Sequence, residues 1–289
     1  MKYFLKNVLK ALCYLALYIA AQNVAAYIVL FYAAFRMILQ DPALVQSEAG
    51  LDALLSRLYD AVYLRTDLIL LISAVITFLT LLIFFRARGK RLTREAWLLP
   101  VQIRSLWPVV LAGAALAVVV GYGISYIPWP AQVIEAYEES YAATNGDGGL
   151  LMVLVSVLAA PFLEELIFRG LVFTRLCRGM PAPAAVILAA TIFAAVHGTI
   201  LWAAYAFVGG IAMTLVFMKY RSLCASMVMH AVFNLFGGYV LGWLEFPSPV
   251  YDLALFGAAL AGLALLGRYM ARLPRSRIDF PLRPFRNGD

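Results

Sequence analysis

Histidine is almost missing from this chain: 289 residues contain two, His197 and His230. Charge is scarce as well, at 13% of residues, against about 25% in a soluble domain of ordinary composition. That shortage, with 64% hydrophobic residues, excludes a soluble globular protein and indicates a polytopic membrane protein. Cysteine is sparse too. Cys13, Cys177 and Cys224 are scattered and odd in number, which excludes a disulfide framework and a Cys-x-x-Cys metal site. There is no His-Glu-x-x-His helix, so the ordinary zincin pattern is absent. No internal repeat is visible, which removes support for a transporter built from inverted repeats.

What is present is a series of apolar runs at roughly 11–35, 68–85, 105–127, 150–168, 182–199, 200–218, 222–244 and 252–267, free of charge except for Glu164 and Glu165 in the fourth and Asp252 at the start of the last. All but the last, the weakest, are long enough for a membrane helix. The expected fold is therefore an all-α membrane protein of about eight transmembrane helices, one polytopic domain over residues 1–271. The first run is read as an uncleaved transmembrane helix, because it is longer than a signal-peptide core of about 7–15 residues. The fifth and sixth share one stretch broken only by His197, with Gly198 where a hairpin can fall. Between Arg36 and Asp67, Leu51, Leu54, Leu55 and Leu58 recur at helical spacing, predicting an interfacial or packed helix. Residues 144–149 read as a turn. The tail, 272–289, is basic and contains prolines; it is expected on the cytoplasmic side, against anionic lipid.

The net charge of +7 requires no nucleic acid partner. Basic residues collect in alternate loops, at Lys2, Lys6 and Lys10, at Arg86 to Arg94, at Arg104, Arg175, Arg178, Lys219 and Arg221, and in the tail. Glu135, Glu138, Glu139, Asp147, Glu245 and Asp252 fall in the others. The positive-inside rule then puts both termini in the cytoplasm, in what is expected to be the cytoplasmic membrane of a prokaryote. Trp97, Trp107, Trp129 and Trp243 lie near span ends as interfacial anchors. Gly209, Gly210, Gly237 and Gly238 read as close helix contacts. Gln22 and Asn23 read as interhelical hydrogen bonds, with substrate contact as the other reading.

Against this apolar background the few polar groups carry information. Glu164 and Glu165 are adjacent inside the fourth run, where charge is expensive unless paired or used in chemistry. Glu165 and Arg169 are four apart on one helix face and can pair. Glu164 points about 100° away and stays free of that partner. Phe193 and His197 share a face, as do His230 and Asn234. At about 1.5 Å of rise per residue, Glu164 lies about 21 Å from the end of its helix at Arg178 and His197 about 22 Å from Pro183. His230 and Asn234 lie about 13 and 19 Å from Arg221. The four groups can meet in one intramembrane layer, expected to open to the cytoplasmic side.

A carboxylate, two imidazoles and an amide form a hydrolytic set. Glu164 with His197 can deprotonate a water, and His230 with Asn234 can hydrogen-bond an oxyanion. In a second reading Glu164, His197 and His230 hold a divalent metal such as zinc, which acidifies the water itself. Asn234, a poor zinc ligand and a good oxyanion donor, favours the metal-free reading. No other cofactor is called for.

Three motifs carry a resemblance to a known family. Glu164-Glu165-Leu166-Ile167-Phe168-Arg169, followed by Gly170, fits a Glu-Glu-x-x-x-Arg pattern. Phe193-Ala194-Ala195-Val196-His197 fits Phe-x-x-x-His, and His230-Ala231-Val232-Phe233-Asn234 fits His-x-x-x-Asn. In this order, and using both histidines, they resemble the CAAX protease and bacteriocin-processing family of intramembrane endopeptidases, with a family-like core at about 150–244. The resemblance implies a peptide hydrolase with catalytic Glu164, His197, His230 and Asn234, supported by Glu165, Arg169 and Phe193. It implies membrane lipid as surroundings and a peptide or protein substrate, a lipidated C-terminus among the candidates. Two other classes stay open: a non-catalytic scaffold or bacteriocin-immunity protein, and a transporter or proton relay using Glu164 and His197.

Overall fold

The computed structural model describes residues 2–145, 149–243 and 248–274. Residues 146–148 of the 144–149 turn and, from residue 275 on, the basic tail lie outside them. The described residues are helices joined by short connections: α1 (Lys2–Gln40), α2 (Glu48–Tyr63), α3 (Thr66–Ala87), a single turn α4 (Leu92–Glu95), α5 (Trp107–Ser125), α6 (Ala131–Asn145), α7 (Leu150–Gly179), α8 (Ala182–Ala195), α9 (Ile200–Tyr220), α10 (Leu223–Trp243) and α11 (Pro249–Arg272). Among the described residues seven helices are long and apolar enough to cross a membrane, namely α1, α3, α5, α7, α9, α10 and α11. The protein is an all-α, multi-pass membrane protein.

The fifth expected span is the exception. α8 has 14 residues, about 21 Å at 1.5 Å per residue, short of a hydrocarbon core of about 30 Å. It stops because the chain turns back: Gly198 takes φ +81°, a conformation that costs glycine nothing. Thr199 then caps α9, its side chain accepting from the Trp202 N–H. The hairpin therefore ends at depth and carries His197 there.

α7 is the centre of the fold. Its residues 165–177 are all buried, and α1, α3, α8 and α10 pack around it. A helix apolar on every side demands such enclosure. Leu166, Ile167, Phe168, Leu171 and Phe173 form one core cluster with Phe85 of α3, Phe193 of α8 and Phe217 of α9. A second cluster joins α5, α9 and α10, and α11 packs against the outer side of α5. Two stretches of α7, Val155–Ala159 and Glu165–Phe173, wind as wider π-helical turns, a distortion frequent at functional sites.

The helix expected between Arg36 and Asp67 is α2. Ser47 caps it, accepting from Gly50 N–H at 3.1 Å, and Leu54 and Leu58 pack with Leu44 against α1. Leu51 and Leu55 stay exposed. α6 was not expected. Tyr63 of α2 donates to the Glu139 carbonyl at 2.6 Å and Tyr141 donates to the Gly238 carbonyl at 2.9 Å, so α6 bridges α2 and the far end of α10. Gly210 fits its expected role, since a Cβ there would meet Phe193 at 3.2 Å and Ala190 at 3.3 Å. Gly237 and Gly238 do not: an added Cβ would find only Ala117 at 3.9 Å or nothing within 4 Å. They border a cavity instead.

Candidate active site

Two layers of polar groups meet where α7, α8 and α10 converge. The deeper layer is a hydrogen-bonded ion pair. Arg169 Nη1 donates to Glu165 Oε1 at 2.8 Å and Nη2 to the Gly210 carbonyl at 3.2 Å. Its guanidinium stacks over Phe193, 4.2 Å from the ring centroid. The Glu165 carboxylate also accepts from His230 Nδ1 at 2.9 Å and from the Ser226 hydroxyl. Glu165, Arg169, Ser226 and His230 are all buried. Buried charges survive when paired and hydrogen-bonded, as these are.

The upper layer faces open space. Glu164 turns away from Arg169, as its one-residue offset requires, and its side chain keeps 14% exposure. One of its oxygens lies 3.7 Å from His230 Nε2, and Tyr18 of α1 interacts with it and with Gln22. His197 hydrogen-bonds the Phe193 carbonyl through Nδ1 at 2.6 Å. A carbonyl can only accept, so the proton sits on Nδ1 and a neutral ring presents a free Nε2 lone pair. Asn234 Nδ2 donates to the Ser156 carbonyl at 2.8 Å, leaving its second N–H unspent in that bond. Ser156 is held by a hydroxyl pair with Tyr239 at 2.7 Å.

Glu164, His197, His230 and Asn234 line one cavity of about 600 Å³, within the usual range of ligand pockets. The sequence-predicted residues thus come together: four at the cavity, with Glu165, Arg169 and Phe193 beneath and beside them. Phe193 is the hub, its ring 4.5 Å from His197 and 5.8 Å from His230. Gln22 faces the cavity, whereas Asn23 bonds the Ile19 carbonyl of its own helix, so neither links two helices.

Three components escaped the sequence reading. Ser226 had a usable signal, because Ser226, His230 and Asn234 recur every four residues on one face of α10. Tyr18 had none. The aromatic wall of Tyr137, Trp202 and Tyr205, packed ring to ring, depends on α6. Burial, with Tyr205 and Tyr141 nearby, raises the Tyr137 hydroxyl well above the ordinary tyrosine value, so this wall stays neutral.

The direction of the cavity differs from the expected one. Its outer lining is Thr66 at the start of α3, Tyr122 and Ser125 at the end of α5, Tyr137 and Tyr141 of α6, and Gly242 at the end of α10. These are the helix ends remote from Arg86, Arg178 and Arg221. Residue-by-residue rise fixes depth but not the side on which neighbouring helices splay.

Among the described residues no three His, Cys, Asp or Glu side chains converge as metal ligands would. With Nδ1 of His230 on Glu165 and Nδ1 of His197 on the Phe193 carbonyl, each ring turns its Nε2 to the cavity, where it can meet a water or a metal.

Residues 146–236 match the family model of type II CAAX prenyl endopeptidase Rce1-like proteins. This match supports assigning the segment to the CAAX protease and bacteriocin-processing family. No curated protein and no solved structure matches it. The matched segment covers all three motifs, and at family level it supports an intramembrane peptidase.

Proposed function

We propose that the protein is an intramembrane endopeptidase in which Glu164 and His197 activate a water. The observation that carries this is the convergence of Glu164, His197, His230 and Asn234, from three separate chain segments, on one cavity. Glu164 accepts a proton from the water, and the free Nε2 of His197 orients it. The hydroxide adds to the scissile carbonyl. His230, carrying a proton on each ring nitrogen and held through Nδ1 by Glu165, donates through Nε2 to the resulting oxyanion, as does the second N–H of Asn234. Glu164 then returns the proton to the leaving amine. The Glu165–Arg169 pair is a positioning device, keeping His230 turned toward Glu164.

The same reading specifies the substrate's side of entry. If the basic loops are cytoplasmic, with both termini there, the cavity opens to the opposite face of the membrane. The aromatic wall then receives an apolar or aromatic peptide segment at that face, rather than a cytoplasmic lipidated C-terminus. Cleavage of such peptides by the reconstituted protein, compared with Glu164→Gln, tests the hydrolytic reading. Failure to cleave any of them in the presence of an intact fold favours a non-catalytic scaffold.

A further inference from the structure

Ser156 holds a backbone carbonyl that its own helix does not use. It lies in the wide turn Val155–Ala159 of α7, where the Ala160 N–H donates to the Val155 carbonyl, five residues back. In a regular α-helix that N–H would serve Ser156. The next position in the wider register is Pro161, which has no N–H to give. Turn and proline together release the Ser156 carbonyl, and a released backbone carbonyl inside a membrane needs another donor. Asn234 of α10 supplies it, Nδ2 donating at 2.8 Å.

A carbonyl only accepts, so Nδ2 is the atom turned to Ser156, and the amide cannot flip without losing this bond. A flip would put Oδ1, an acceptor, where an oxyanion needs a donor. Ser156 is itself fixed from the facing helix. Its hydroxyl donates to the Met152 carbonyl at 2.8 Å, so in the contact with the Tyr239 hydroxyl, at 2.7 Å, Tyr239 is the donor. Tyr239 belongs to a second wide turn, Phe236–Val240 of α10. Residues five apart point about 140° apart on a regular helix. The wider turn reduces that angle, and Asn234 and Tyr239 both reach Ser156. All three residues line the cavity that holds Glu164 and His197.

We propose that Pro161 and Tyr239 are positioning residues for Asn234: Pro161 keeps the Ser156 carbonyl free for the Asn234 amide, and Tyr239 holds Ser156 in place. The role rests on the hydrolytic reading above, in which the remaining N–H of Asn234 meets the oxyanion. The wide turns of α7 and α10 then share one task, aiming that donor.

The test reads Asn234 first and its chemistry second, in the full chain in lipid nanodiscs. Isotopic labelling of asparagine side-chain nitrogens gives NMR signals from five amides, those of Asn7, Asn23, Asn145, Asn234 and Asn287. Asn234→Ala identifies its own signal by removing it. Pro161→Ala, which restores a competing N–H, and Tyr239→Phe, which removes one hydroxyl, should each move the Asn234 signal and leave those of Asn7 and Asn23 in place. An unmoved Asn234 signal in either variant overturns that residue's part. With an apolar fluorogenic peptide containing phenylalanine and leucine as substrate, each variant should lose about tenfold or more in kcat with KM unchanged. Neither should cause a further loss in an Asn234→Ala background. An equal loss in that background marks a general disturbance of the fold and overturns the role. A moved signal with no cleavage by wild type keeps the Pro161–Ser156–Asn234 geometry and overturns the hydrolytic reading beneath it.

Discussion

Arg169 reaches back one turn along α7 to hold the carboxylate of Glu165 at 2.8 Å, with both side chains shut off from water. The neighbouring Glu164 has no such partner and faces the cavity. Replacing Glu165 by Gln leaves a buried cation uncompensated, at a cost of about 3–5 kcal/mol, and frees His230 from its anchor. Glu165→Gln should lower Tm strongly and lose activity through the fold. Glu164→Gln should leave Tm within a few degrees of wild type. Thermal unfolding of the two variants side by side checks this, and equal Tm values would remove the division of labour.

Gly170 ends the Glu-Glu-x-x-x-Arg motif because nothing larger fits. A Cβ there would stand 2.8 Å from the Ala96 carbonyl oxygen and 3.0 Å from Leu223 Cδ1. Gly170→Ala should destabilise by about 1–3 kcal/mol through overpacking, despite the gain of about 1 kcal/mol that alanine brings inside a helix. Gly238→Ala, with nothing within 4 Å of the added atom, should keep or raise stability. Denaturation midpoints of the pair decide it.

Glu95 lies in α4, outside the membrane spans. Burial raises the affinity of its carboxylate for a proton, but hydrogen bonds from Lys90 and Arg175 and their charges outweigh that, and the net shift is downward. A carboxyl group that binds protons less readily when folded contributes stability in full above the ordinary glutamate value of about 4.3. That contribution is lost as the pH falls through the lower folded value. Wild type should therefore exceed Glu95→Gln in Tm at pH 7, and the gap should narrow toward about pH 3. A gap independent of pH would show that the ion pairs contribute nothing to it.

The proposed orientation is open to chemical labelling. In a variant with Cys13, Cys177 and Cys224 replaced by serine, an impermeant thiol reagent applied to intact cells should modify Glu138→Cys on α6 and spare Arg88→Cys. Modification of Arg88→Cys alone would reverse the topology and, with it, the side from which substrate enters.

Much of this arrangement was legible from composition and spacing. The apolar runs located the seven long helices, because a membrane forces backbone hydrogen bonding to close within each segment. The offset between Glu164 and Glu165 already separated a free carboxylate from a paired one, and the motif order brought Glu164, His197, His230 and Asn234 forward. What hydropathy could not give was the shortness of α8, since a charge-free stretch of two helices carries no mark of where it turns except Gly198. Nor could it give α6, whose polar sequence resembles a loop until Tyr137 stacks on Tyr205. The opening of the cavity depends on how helices splay, which spacing along one chain does not encode.

The central claim rests on Glu164 as the base. The direct measurement is peptide hydrolysis by the reconstituted protein, wild type against Glu164→Gln, each with and without a strong chelator. The account predicts measurable cleavage by wild type that the chelator leaves unchanged, and a fall of about 10²–10⁴-fold in the variant with its unfolding temperature preserved. Near-normal turnover by Glu164→Gln would contradict the assignment. Loss of wild-type activity on chelation, restored by zinc, would contradict the metal-free mechanism.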